Sequence, residues 1–288
     1  MTIETRETRR RFAIVAIVKN EADYLLEWIA YHRCAGFDHF HLADNGSTDG
    51  TAALLQALER AGVVSYTWWP VAHKAQFQWY NHAIDSFAST ADYLTFLDAD
   101  EFLVPRVGVR ATAHLARLLE PSDVGAIAIN WQIYGSAGQR QRQPGLVLER
   151  FTHASNPERL VNTHVKSVVK PACVARMWSH TAELRGAARY LDANGDVAEF
   201  VNGDSSSGRS QAVIASPLTV RHYAVKSEQE FVENKSRRGR ANLGSDARRG
   251  MSYFDNHDIN DYCAPLDQSL LDGVGEEIGR LGGLIGGK

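Results

Sequence analysis

Phe12 to Val18 is an unbroken apolar run of strand length, the pattern of a strand buried on both faces. Behind it, Leu25, Trp28, Ile29 and His32 recur at helical spacing, with Asn20 placed to cap the helix and Gly36 to end it. His39–Ala43 reads as a second strand. Ser47 or Thr48 is the expected cap of a second helix carrying Thr51, Leu54, Leu55 and Leu58 on one face and stopping at Gly62. Val63–Trp69 reads as a third strand. Residues 74–88 read as a helix with Phe77, Tyr80, Ile84 and Phe87 as its stripe, and Tyr93–Leu97 as a fourth strand. Strands alternating with helices predict a doubly wound, mostly parallel α/β sheet with right-handed crossovers, whose ligands bind beyond the carboxyl ends of the strands.

The second half is less regular. Val124–Trp131, 161–170 and 213–223 read as strands. Gly135–Gly145, rich in Gly, Gln and Arg, reads as a mobile loop, and 194–210 as loops or a hairpin. Residues 226–250 hold seven Lys or Arg against four Asp or Glu and read as partly helical; the tail from Leu281 reads as frayed. This divides the chain into a polar arm (1–11), a ligand-binding half (12–102), an acceptor-side half of the same domain (103–240) and a C-terminal extension (241–288).

Hydrophobic residues at 44% and charged residues at 23% exclude global disorder. A net charge of −3 argues against a nucleic-acid partner held by bulk charge. Three scattered cysteines, without a CxxC, exclude a disulfide framework and a cysteine zinc site and suit a reducing compartment. No apolar stretch approaches the ~20 residues of a membrane span, and no secretory signal is legible. The expectation is a cytoplasmic protein.

Three polar clusters fall at the same end of the predicted sheet: Lys19-Asn20-Glu21 after the first strand, Asp44-Asn45-Gly46-Ser47 after the second, and Asp98-Ala99-Asp100-Glu101 after the fourth. Two carboxylates one residue apart at a strand end suit one hard cation, Mn²⁺ or Mg²⁺, shared with substrate phosphates. Asp44 ends its strand and faces the same crevice, where a carboxylate can accept hydrogen bonds from a base or ribose. Neither Gly-x-Gly-x-x-Gly nor a Walker lysine loop is present, so dinucleotide and P-loop readings lose their anchors. His32, Cys34, His39 and His41 resemble a metal cluster on paper, but their spacing crosses from a helix end into a strand.

Together, Ile14–Glu21, Asp44–Thr51 and Leu97–Phe102 resemble a family 2 type glycosyltransferase of the GT-A fold. With Glu27-Trp28, Tyr31-His32, Asn130-Trp131, His222-Tyr223 and Lys226-Ser227, the chain is similar over about residues 12–240 to the bacterial "glycosyl transferase family 2, type 4" branch, itself similar to family 92. The resemblance implies a nucleotide-sugar donor, UDP-linked, with Lys19, Asn20 and Glu21 beside its base and Asp44 at uracil or ribose. Gln76, Tyr80 and Asn81 would line the nucleotide side. Asp98 would face ribose and ion, Asp100 would bind the ion, and His222 would be the late metal ligand, with His180 its competitor. Lys226, Lys235 and Arg238 would neutralise phosphate, the latter two toward the acceptor side, where Trp131 would meet a sugar ring. The acceptor would be a glycan, a lipid-linked glycan or a small molecule.

Inverting transfer needs a base for the acceptor hydroxyl. No Glu-Asp pair stands where many family 2 enzymes keep it, and Glu149 is the substitute expected here. Other readings are a non-catalytic nucleotide-sugar or glycan-binding protein on the same fold and, with Phe102 where Thr or Val is expected, an Asp-x-Asp phosphatase.

Overall fold

The computed structural model describes residues 10–239 and 248–286. Most of the polar arm (1–9), part of the basic run (240–247) and the last two residues lie outside the described residues.

The first half follows the alternation: β1 (Phe12–Val18), α1 (Ala22–Cys34), β2 (His39–Asp44), α2 (Thr51–Arg60), β3 (Val64–Trp68), α3 (Ala75–Phe87) and β4 (Tyr93–Phe96). Then come β5 (Glu101–Pro105), α4 (Ala111–Leu118), β6 (Val124–Ile133), α5 (Val147–Arg150), β7 (His153–Ala154), β8 (Val165–Val169), β9 (Val174–Met177), β10 (Ala182–Leu184), β11 (Arg189–Leu191) and β12 (Leu218–His222). The chain continues through α6 (Glu228–Glu230), a π-helical turn (Phe231–Lys235), α7 (Met251–His257), β13 (Tyr262–Cys263) and α8 (Gln268–Gly286).

One nine-stranded sheet runs β3-β2-β1-β4-β8-β6-β12-β5, with β11 beside β6. β1 pairs in parallel with β2 and β4, whereas β8 runs antiparallel between β4 and β6, and β5 antiparallel to β12. The sheet is therefore mixed where the sequence no longer alternates. Two cores cover its faces. One holds Trp28, Tyr31, Phe40 and Phe102; the other holds Trp79, Tyr80, Phe96 and Val165.

Several motif residues on α1 are scaffold. Trp28 Nε1 donates to Glu101 O at 2.7 Å, Tyr31 hydroxyl to Leu103 O at 3.1 Å, and Leu103 N donates to His32 Nε2 at 3.3 Å. They tie α1 to β5 and so fix the segment that follows Asp98 and Asp100. The Glu27 carboxylate accepts from Val147 N and Leu148 N, closing the start of α5. Asn130 takes Ile214 N on Oδ1 and gives Nδ2 to Ser210 Oγ, joining β6 to the irregular 210–214 segment.

Local expectations are corrected in five places. Neither Asn20, Ser47 nor Thr48 caps its helix. Asn20 stands in the left-handed region at φ 55°, and its Oδ1 accepts from Thr48 N at 2.7 Å, bonding across to the next loop instead. The second helix starts at Thr51, whose N–H donates to Asp49 Oδ1. The strand read over 161–170 is a 3₁₀ turn, Leu160–Thr163, followed by β8; that over 213–223 shortens to β12. The 135–145 loop is tied down by Ser136 N to Asp258 Oδ1, Gln139 Nε2 to Arg150 O, and Arg142 to Asp23. A Cβ on Gly135 would stand 2.6 Å from Ile259 O, so only glycine permits that approach. As far as Gly286 the tail is helical: α8 packs on α1 and buries Leu271, Val274 and Leu281, because its apolar positions recur at helical spacing despite six glycines.

Candidate functional site

A cavity of about 280 Å³ opens beyond the carboxyl ends of β1 and β4, where two parallel strands and their loops diverge. The first two loops are stitched together. Asn20 N donates to Ser47 Oγ at 2.9 Å and Glu21 N to Thr51 Oγ1 at 2.9 Å. Lys19 and Glu21 line the cavity. Glu21 is buried, with Oε1 on Arg238 Nη1 and Oε2 without a partner. Arg238 also donates to Lys19 O, and Asn234 Nδ2 to Asn20 O, so the 234–238 segment is fastened to the first loop.

Asp44 sits beneath the wall rather than on it. It is fully buried, Oδ1 accepts from Ser47 N at 2.8 Å, and Oδ2 has no partner; Asn45 lines the cavity in its place.

The floor is Asp98. Its Oδ1 takes Gln76 Nε2 at 2.7 Å, with Tyr80 hydroxyl behind at 3.4 Å; its Oδ2 takes Lys166 Nζ at 3.0 Å. Lys166 also reaches Glu101 Oε2 at 3.2 Å. Burial alone would raise Asp98, but the Lys166 ammonium overrules it and holds the carboxyl below its ordinary value. Glu101, deeper and facing two other carboxylates, is pushed well up, chiefly by burial. Lys166 was missed by the sequence reading. Its one signal is a charged residue inside Val165–Val169, where a two-face buried strand has no place for an unpaired ammonium.

The rim is Asp100. Its Oδ2 is bonded by Lys235 Nζ, and its Oδ1 lies 3.6 Å from His222 Nε2. Burial opposes ionisation, yet Lys235 and His222 hold Asp100 well below the carboxylate range. His222 is itself pushed down to about 4 by burial, and its Nδ1 has no partner.

On the far wall Trp131 is ringed by His222 at 4.3 Å, His164 at 4.8 Å and His180 at 5.2 Å between ring centroids. Carbonyl oxygens only accept, so Val161 O, Val165 O and Tyr253 O fix a proton on Nδ1 of His164, His180 and His257. Nε2 of each is left as the free acceptor. Burial pushes all three rings down, His180 to about 3. His164, His257 and Tyr253 on this wall were not foreseen. No local signal marks them: His164 arrives with β8 beside β6, and Tyr253 and His257 arrive on α7.

Three expected residues stand elsewhere. Asn81 bonds Met177 N and O, joining α3 to β9. Lys226 is buried 4.3 Å from the centre of the Tyr24 ring and does not line the cavity. The expectation of Glu149 as base is corrected: it is exposed, accepts from Leu146 N at 3.0 Å at the first turn of α5, and is not on the cavity wall.

Asp98, Asp100 and His222 offer the oxygen and nitrogen donors that Mn²⁺ or Mg²⁺ takes. They fit such an ion in kind, but both carboxylates carry ammonium partners, and among the described residues no three acidic, His or Cys side chains form a ready-made cluster. The His32–His41 group is likewise no cluster; His32 bonds Trp28 O and Leu103 N.

Residues 13–240 match the family model for glycosyltransferase family 92. The chain belongs to that family. Among curated relatives it is 24% identical over 194 residues to the family 92 protein RCOM_0530710 of Ricinus communis, covering 65% of this chain and 34% of that one. It is 26% identical over 186 residues to At1g27200 of Arabidopsis thaliana, covering 59% and 31%. This family 92 chain thus spans about a third of the length of these relatives. Among solved structures, S. aureus TarS 1–349 in complex with UDP aligns with TM-score 0.39 and 14% identity, over 57% of this chain and 47% of that one. Glucosyl-3-phosphoglycerate synthase of Mycobacterium tuberculosis, with Mn²⁺, UDP and glucosyl-3-phosphoglycerate, aligns with TM-score 0.30 and 17% identity, over 42% and 44%. Among the described residues no helix is long and apolar enough to cross a membrane.

Proposed function

We propose that this chain transfers a sugar from a UDP-linked donor to an acceptor hydroxyl, with inversion and with a divalent cation, and that it stands closest to the bacterial family 2, type 4 glycosyltransferases, which are similar to family 92. The observation that carries this is one cavity at the sheet's carboxyl end holding Asp98, Asp100, His222, Lys235 and Arg238 together. Family membership over residues 13–240 supports the class of reaction.

Glu21 and Asn45 would meet the nucleoside, with Asp44 buttressing the second loop from beneath. Gln76 and Lys166 hold Asp98 in one orientation, and Tyr80 backs it. Asp98, Asp100 and His222 would hold the ion, which when bound supplies Lewis-acid neutralisation of the leaving diphosphate. Lys235 and Arg238 add positive charge on the same side. Trp131 offers an aromatic face for the acceptor, a glycan, a lipid-linked glycan or a small molecule. With Glu149 outside, acceptance of the hydroxyl proton falls to a neutral histidine of the Trp131 wall: His164, His180 or His257. The three free cysteines suit a reducing compartment such as cytoplasm.

The test is thermal stability against a panel of nucleotides and UDP-, GDP- and dTDP-sugars, with and without Mn²⁺. A ligand that binds the native state alone adds about 2.7 kcal/mol at one hundred times its Kd. A Mn²⁺-dependent shift for UDP or one UDP-sugar is the expected outcome. No shift with any nucleotide sinks the reading.

A further inference from the structure

We propose that Lys235 is a built-in counter-cation of Asp100, holding the cation position closed until a nucleoside diphosphate and a divalent ion arrive together. This rests on the reading above that the cavity takes both.

Each carboxylate of the Asp98-Ala99-Asp100 segment already carries an ammonium. Asp98 has Lys166 and Asp100 has Lys235. The two lysines are built differently. Lys166 is 1% exposed, stands mid-strand on β8 and has three oxygen partners, Asp98, Glu101 and Ser179 O. It has nowhere to go. Lys235 ends the π-helical turn and lines the cavity, with Asp100 its carboxylate partner and the Tyr253 ring 5.7 Å from its Nζ. Its backbone is held by Ser236 N to Phe231 O and by the Asn234 and Arg238 bonds to the first loop. An unbranched side chain on a fixed backbone can swing into the cavity without moving the fold.

A divalent ion on Asp100 with Lys235 still in place would set like charges one carboxylate apart in a poorly solvated site, which is strongly repulsive. A diphosphate changes the sign of that interaction, because it gives the displaced ammonium its own anion. Metal and nucleotide should therefore bind with positive, reciprocal coupling.

The experiment measures Mn²⁺ affinity of the full chain from the electron paramagnetic resonance of free Mn²⁺, with and without UDP, for the wild type, Lys235→Met and Lys235→Arg. In the wild type, UDP should tighten Mn²⁺ by at least about tenfold. Lys235→Met should bind Mn²⁺ alone at least about tenfold more tightly than wild type and lose most of the UDP effect, while Lys235→Arg keeps the wild-type pattern. Should Lys235→Met fail to melt cooperatively, Lys235→Gln takes its place. An affinity of the neutral variant for Mn²⁺ within about twofold of wild type, or none in either, overturns the proposal. UDP binding to no variant would sink the nucleotide reading, yet Mn²⁺ alone would still decide the role of Lys235.

Discussion

Asp98 and Asp100 stand one residue apart and meet opposite surroundings. Asp98 keeps its side chain 34% exposed, but its ammonium partner is sealed: Lys166, shared with Glu101, is 1% exposed, and Gln76 and Tyr80 hold the other carboxylate oxygen. Asp100 is the more buried carboxylate, at 6%, but its partners Lys235 and His222 both stand on the cavity wall. The strand ends at Phe96 and the chain turns through Asp98–Glu101, with Glu101 N donating to Asp98 O at 3.0 Å, so the two carboxylates leave the turn in different directions and meet different cations. The comparison teaches that an ion pair sealed in the fold is architecture, whereas the same chemistry at a wall is available for exchange.

The sharpest way to break the comparison is Lys166→Met. It removes the ammonium that Asp98 shares with the fully buried Glu101, and breaking a buried pair costs up to about 3–5 kcal/mol. Urea unfolding checks it; a loss no larger than that of Lys235→Met would show that the two ion pairs are alike.

Acid should act next. His32, His41 and His180 are pushed down to about 3 and His222 to about 4, chiefly by burial. The unfolded chain takes up protons near pH 6.5 while the native rings stay neutral. Stability therefore falls as pH drops from 6.5 toward 4, by about 1.4 kcal/mol per pH unit for each such ring at most. Denaturation midpoints at pH 7.5, 6 and 4.5 measure it, and a flat profile would contradict the burial of these rings.

At the wall pair, Asp100→Asn should abolish the Mn²⁺-dependent UDP shift, about 2.7 kcal/mol at one hundred times Kd, while the apo protein still unfolds cooperatively. An intact shift would remove Asp100 from the site. Smallest of all, Glu149→Gln should change stability by about 0.5 kcal/mol or less and leave UDP binding unchanged, as expected of an exposed turn residue. Lost turnover with retained donor binding would restore it as the base.

Much of the donor side was legible because its signals are local. The apolar run of β1, the stripes of α1 to α3 and the polar clusters at Lys19, Asp44 and Asp98 each declare themselves within a dozen residues. The wall around Trp131 was not. His164, His180, His222 and His257 lie far apart in the chain and meet only in the tertiary structure: β8 beside β6 sets His164 and, through Val165 O, His180 near Trp131, β12 beside β6 brings His222, and α7 brings His257. Asp44 shows the limit even on the local side: its position was legible, but its depth beneath Asn45 was not.

The sequence by itself determined the alternation of strand and helix, the end of the sheet where chemistry gathers and the residue types that suit a hard cation. Hydrophobic periodicity and strand-end polarity are properties of neighbours. Tertiary structure alone decided which cation each carboxylate meets, that Glu149 stands outside, and that the glycine-rich tail packs as α8. Those outcomes depend on charge pairing and burial between distant segments, where a buried ammonium on β8 is stable only because Asp98 and Glu101 face it.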